Sequence, residues 1–348
     1  MIKIRSELFE SLNTLEGLKG GLQQAIMLEH STIPAYLYSW YSVKPGKNKI
    51  AANLILSVLK EEMLHFVLAM NLLKAIGGSP QLNTIDFIPQ YPSLLPGVEH
   101  NGLIVGLKPL SKQLVKDVFM EIEEPEKPLD FPVVAAFEDG LQSWAPKTIG
   151  QFYERIKQEI IGYGDAIFDQ TGKGQIVAGA QLPGAIAVTN VETAIAAIEI
   201  IVEQGEGTQT DPGEDQDHLA HYYKFAEIYN GKRLIKDPMA TPLTPADRRY
   251  IYAGTKIPLD QDGIYPLKEN PKESDYEAGS QAREAVEEFN AAYTTMLRLL
   301  HAASNDDPNQ IGPSIDIMKL QLSPLAREIV KMQISETLNA GPTFQFKP

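Results

Sequence analysis

Glu62 and His65, in Lys60-Glu61-Glu62-Met63-Leu64-His65, form a Glu-x-x-His pair in apolar surroundings. Alternating steps of four and three residues pass Ala51, Ile55, Val58, Glu62, His65, Ala69, Leu72 and Ile76, so the pair interrupts an inward-facing stripe. Burying a carboxylate there is costly unless it is paired or bound to a metal. On a solvated helix this spacing is an ordinary ion pair. On a core stripe it points to metal ligation.

Three other segments add candidates. Leu22, Ile26, Glu29, Ile33, Tyr36 and Trp40 form a stripe with one embedded carboxylate, Glu29. Pro34 removes the hydrogen bond to the carbonyl of His30 and predicts a kink just past Glu29, while His30 points elsewhere and reads as structural. A third segment is apolar nearly all round (Ile195, Ala197, Ile198, Ile200, Ile201, Val202), with Glu192, Glu199 and Glu203 on its polar stripe and Glu206 following. Glu203, nearest the turn into the next helix, is the expected ligand, with Glu199 and Glu206 as reserves; the alternative is a solvated face. The fourth segment supplies His218-Leu219-Ala220-His221, with Phe225 and Ile228 on the same stripe. The chain has six histidines, and His65, His218 and His221 all fall in this constellation.

A Glu from each of two helices, with ligands at i and i+3 from two others, is the bundle-core arrangement of carboxylate-bridged iron or manganese pairs. Carboxylates bridge cations, and imidazole suits iron, manganese and zinc alike. Such a site can bind oxygen between its metals and reduce it by two electrons. Cysteine is absent, which excludes disulfides, iron–sulfur clusters and thiolate zinc sites.

Positioning these side chains takes long helices. Helical patterns cover about Leu12–Tyr41, Lys49–Ile76, Thr148–Asp169, Val191–Gln204, Glu214–Tyr229, Gly279–Ala303 and Ser314–Leu338, and a shorter helix follows the N-cap Ser111 through Ile122. The best strand signal is Gly102–Val105, and proline-rich, loop-like stretches run from Pro80 to Pro132 and from Pro238 to Pro271. The expected fold is all-α: a four-helix bundle with a long crossover insertion and an added C-terminal helical layer. Residues 1–235 would form the metal-binding bundle, with its insertion at about 78–190. Residues 236–348 would form a proline-rich connection and helical extension.

Across 348 residues, 31 Lys plus Arg face 45 Asp plus Glu, a net charge of −14, which argues against nucleic acid and anionic membrane surfaces as partners. No apolar run approaches a membrane span, and Met1–Glu7 lacks a signal-peptide core, which fits a cytoplasmic protein. No Gly-x-Ser-x-Gly elbow occurs, Gly172-x-Gly174 and Gly205-x-Gly207 lack the third glycine of a dinucleotide loop, and residues 212–217 do not match a calcium loop.

The chain resembles the ferritin-like superfamily, and more narrowly the iminophenyl-pyruvate dimer synthase type of ferritin-like domain, found within violacein and rebeccamycin pathway dimer synthases. The resemblance rests on Leu28-Glu29-His30-Ser31-Thr32-Ile33-Pro34-Ala35-Tyr36-Leu37, Glu61-Glu62-Met63-Leu64-His65, Ile201-Val202-Glu203-Gln204-Gly205-Glu206-Gly207, His221-Tyr222-Tyr223-Lys224-Phe225 and Tyr91-Pro92-Ser93-Leu94-Leu95-Pro96-Gly97. It spans about residues 15–230. The superfamily pattern implies a second Glu-x-x-His, and His218 stands where its Glu should be. Either Glu206 or Asp217 restores a fourth carboxylate, or the site is asymmetric, or one metal is held by His218, His221 and Glu203.

The function expected is a non-haem iron oxidase or oxygenase, with manganese or zinc as alternative metals. Its pocket would be lined by Tyr36, Trp40, Phe66 and Tyr222. The resemblance implies an imino- or keto-acid of an aromatic amino acid as substrate, with oxygen as co-substrate. The alternatives are metal binding without organic turnover and a scaffold that has lost its site. A homo-oligomer is compatible with each.

Overall fold

In the computed structural model, Thr14 begins the first long helix by accepting a hydrogen bond from Gly17 N at 3.0 Å. The structure describes every residue except 1, 101, 126–128, 130–147, 178, 180, 181, 208–210 and 214–217. After a short helix, α1 (Ser6–Ser11), come α2 (Leu15–Ser42) and α3 (Lys49–Ala75). Thr32 on α2 bonds Glu62 on α3, and Glu29 lies opposite His65, so numbering rises along one helix as it falls along the other. The two are antiparallel, as their short connection requires. Pro34 lies inside α2, which stays helical through it.

The segment between α3 and residue 190 contributes directly to the bundle. Ser111 caps a helix, α4 (112–123), whose middle turn Val115–Met120 is a π-helix. A Thr148/Gln151 capping box starts α5 (Ile149–Tyr163), and an Asn190/Thr193 box starts α6 (Val191–Glu206). α5 stops at Gly164, whose φ of 69° departs from the helix, so the expected continuation to Asp169 does not form. The fourth expected helix begins at His221, not near 214: α7 (His221–Asn230), with Ala220 extended before it. Residues 214–217, its expected first turn, lie outside the described residues.

Two small antiparallel ladders occur among the described residues. The anticipated strand shortens to β2 (Ile104–Val105), paired with β1 (Ser93–Leu94). A second hairpin pairs β3 (Lys232–Lys236) with β4 (Tyr250–Lys256), Leu234 opposite Tyr252. β3 falls between the helix expected to end at Tyr229 and the proline-rich stretch expected from Pro238, and β4 falls within that stretch.

The C-terminal layer is α8 (Gln281–Asn305) and α9 (311–329), the latter with a π turn at Met318–Leu322. α9 ends at Ile329, short of the expected Leu338, and the chain after it is strapped down. Asn290 Oδ1 accepts from Thr343 Oγ1 at 2.9 Å and Gln345 N at 3.0 Å, and Phe344 packs on Phe289 with ring centroids 5.0 Å apart. Tyr293 reaches α2, its hydroxyl 2.9 Å from His30 Nε2, which gives His30 the structural role anticipated for it. One apolar cluster runs from Ile2 through the bundle to Phe344.

Candidate metal centre

Glu29, Glu62 and Glu123 are at most 6% exposed, and His65 and His221 at most 2%. They converge from α2, α3, α4 and α7. Each carboxylate has a hydroxyl donor. Tyr153 Oη donates to Glu29 Oε1 at 2.7 Å, Thr32 Oγ1 to Glu62 Oε2 at 2.8 Å, and Tyr36 Oη to Glu123 Oε1. These bonds leave oxygens facing the imidazoles. His221 Nδ1 lies 2.8 Å from Glu62 Oε1 and 3.4 Å from Glu123 Oε2, and His65 Nδ1 lies 3.8 Å from Glu29 Oε2 and 3.9 Å from Glu62 Oε1.

The outer nitrogens are also occupied. His65 Nε2 is 3.0 Å from Gln204 Oε1 and His221 Nε2 is 3.0 Å from Glu61 Oε2, so each ring can donate outward and present a bare Nδ1 inward. Lys224 Nζ holds the same Glu61 oxygen at 2.5 Å. The two imidazole rings stack with centroids 5.2 Å apart.

So many carboxylates without cations are electrostatically unfavourable. Burial, then the Glu62 charge, raises Glu29 well above the usual carboxylate range, and burial with the Glu123 charge raises Glu62. Burial and the neighbouring His221 lower His65 to about 3. Burial also opposes charge on His221, but the surrounding Glu123, Glu61 and Glu62 carboxylates outweigh it and raise that imidazole well above its ordinary value. Glu61 shifts the opposite way from Glu29 and Glu62. Burial disfavours its charge, yet His221 and Lys224 hold it down to about 2.

These donors fit a metal. His221 Nδ1 is buried and has no hydrogen-bond partner among the described residues, although Glu62 Oε1 lies 2.8 Å away. The His65 gaps are too long for hydrogen bonds, yet shorter than about 4.0–4.3 Å, the sum of a typical metal–nitrogen and a typical metal–oxygen bond. One ligand atom from each of Glu62, His65 and His221 lies within 4.8 Å of the others.

A cavity of about 30 Å³ opens beside the cluster, between Glu29, Glu62, His65 and Glu123 on one side and Ile149, Gly150, Tyr153, Ile201 and Gly205 on the other. Glu206 lines it too, its Oε1 accepting from Gly150 N at 2.7 Å. Glu203 and Glu199, by contrast, are exposed. They occupy the solvated stripe of α6, whose buried face carries Ala197, Ile198 and Ile201. His218 is likewise exposed, in the segment before α7, and the structure does not bring it to the cluster. Asp217 lies outside the described residues.

Glu123, Tyr153, Gln204, Glu61 and Lys224 were not anticipated. Glu61 and Lys224 had a readable signal: each sits beside or one turn from an expected ligand.

Among the described residues the four aromatics expected to line a pocket lie apart from the cavity. Tyr36 is buried between Phe119 and Phe225, at 4.7 and 5.1 Å. Trp40 lies under the Arg327 guanidinium at 4.1 Å, Phe66 packs against His30, and Tyr222 meets Tyr223 edge-on. None of the four lines the cavity.

A helical bundle with clustered carboxylates and imidazoles in its core defines the class of protein. The profile of the family described as Ferritin-like matches residues 22–230, and the chain belongs to that family. Dichlorochromopyrrolate synthase from Lentzea aerocolonigenes is 25% identical over 324 residues, covering 84% of this chain but only 29% of that enzyme. The crystal structure of a ferritin-like protein from Caulobacter vibrioides shares the fold, with a TM-score of 0.61 over 96% of this chain and 99% of that one at 22% identity. No helix among the described residues is long and apolar enough to cross a membrane.

Proposed function

We propose that this protein is a metal-dependent oxidoreductase of the oxygen-activating type, with iron as the working metal and a small organic acid as substrate. The observation carrying this is the donor set. Glu29, Glu62, Glu123 and Glu206 with His65 and His221 amount to four carboxylates and two imidazoles, enough charge to neutralise two divalent cations. When bound, an iron pair supplies the electrons that reduce oxygen.

The chain's own groups set the conditions. Tyr153, Thr32 and Tyr36 hold three carboxylates in place by their hydroxyls, and Gln204 and Glu61 orient the imidazoles. At about 30 Å³ the cavity has room for only one or two small molecules of the size of water or oxygen. An organic substrate therefore meets the site at the cavity's edge, where Ile149, Ile201 and Val202 offer apolar contact. An imino- or keto-acid derived from an aromatic amino acid suits such an edge and accords with the match to a synthase.

The test is oxygen uptake by iron-loaded protein during a screen of aromatic imino- and keto-acids. Uptake coupled to substrate loss supports the proposal. Iron binding without coupled turnover favours a second reading, metal binding alone, which the small cavity also suits. Failure to bind iron, manganese or zinc sinks both.

A further inference from the structure

Lys224 is only 2% exposed, and its ammonium meets the carboxylate of Glu61. Glu61 and Glu62 are neighbours in sequence yet address opposite nitrogens of one ring: Glu61 Oε2 lies 3.0 Å from His221 Nε2, and Glu62 Oε1 lies 2.8 Å from His221 Nδ1. Lys224 follows His221 by three residues, so one face of α7 presents both to the same Glu61 oxygen. The other imidazole differs, since His65 Nε2 meets the neutral amide of Gln204.

Resting on the metal site proposed above, we infer that Glu61, clamped by Lys224, is a positioning residue. With metal bound, it holds His221 as the tautomer protonated at Nε2, with Nδ1 bare toward Glu62 and Glu123. A carboxylate acceptor makes an imidazole a better donor than an amide does. The oxygen of Glu61 shared by Lys224 and the ring is thereby committed away from the cluster, and Lys224 keeps a buried cation paired rather than exposed to the metals.

The test uses zinc, which is diamagnetic, with the full chain. Zinc affinity is measured by chelator competition for wild type, Glu61→Gln, Lys224→Met and Lys224→Arg, with the histidine tautomers read by ¹⁵N NMR. We expect about 10- to 100-fold weaker binding for Glu61→Gln, a smaller loss for Lys224→Met, and near-complete rescue by Lys224→Arg, which preserves the ion pair. In zinc-loaded wild type, His221 should carry its proton on Nε2. A proton on Nδ1 there overturns the inference even if the variants do not fold. So does wild-type affinity in folded Glu61→Gln and Lys224→Met, which would leave the pair a purely structural role. No zinc binding by wild type overturns both this inference and the proposed metal site, whereas normal binding with unaffected variants overturns this inference alone.

Discussion

Tyr153 donates its hydroxyl proton to Glu29 Oε1 at 2.7 Å, joining the start of α5 to the middle of α2 through a carboxylate that burial holds well above its usual range. Removing the hydroxyl in Tyr153→Phe leaves Glu29 buried without that donor. The metal-free variant should lose about 1–3 kcal/mol of stability, measured by urea unfolding in chelator. An unchanged midpoint would show that the bond contributes nothing net.

Zinc or manganese affinity should separate the two faces of α6. Glu203→Gln, on the exposed stripe, should bind within about twofold of wild type, because surface changes away from a site have small effects. Glu206→Gln and Glu123→Gln should each bind at least about tenfold more weakly, as expected when a ligand's charge is removed. Loss of binding on changing Glu203 would contradict its position on the solvated stripe.

Gly150 offers a narrower test. A Cβ added there would collide with Glu206 Oε2, the far end of a flexible side chain. Gly150→Ala should therefore displace the Glu206 carboxylate at little cost in stability, below about 1.5 kcal/mol. Metal affinity should fall while the melting temperature barely moves. The reverse pattern would mean that Glu206 serves only to cap α5.

His30 gives a pH dependence. Burial lowers it to about 3, so the folded protein keeps it neutral while an unfolded chain protonates it near 6.5. Its neutral burial contributes stability that is present above pH 6.5 and lost as pH falls toward 3, at up to about 1.4 kcal/mol per pH unit. His30→Gln, which can still pair with Tyr293, should lose stability less steeply than wild type between pH 6 and 4. Parallel curves in chelator would refute this.

Much of the bundle was legible because long amphipathic stripes report burial directly. Glu29, Glu62, His65 and His221 each broke such a stripe or continued one, and the structure brings all four together. Glu123 left no comparable mark. It ends a short helix in the acidic run Glu121-Ile122-Glu123-Glu124, which in sequence looks like a solvated face. Glu203 was favoured over Glu206 by closeness to a turn, whereas what decides is the packing of the α6 C-terminus on the amide of Gly150. The β3–β4 hairpin was hidden by its composition: Lys232-Arg233-Leu234-Ile235-Lys236 lacks a clear two-residue alternation.

The π turn at Val115–Met120 immediately precedes the turn that carries Glu123. A π turn is an α-helix with one residue too many, and each residue advances a helix by about 100°. The wide turn takes up that extra residue, so losing a single codon within it would let the helix close into regular α form with Glu123 still facing the cluster, whereas closing the turn at unchanged length would swing Glu123 by about 100°. A gene for this fold can thus lose one codon here, a change that an alignment records as a gap, and still keep the carboxylate that follows.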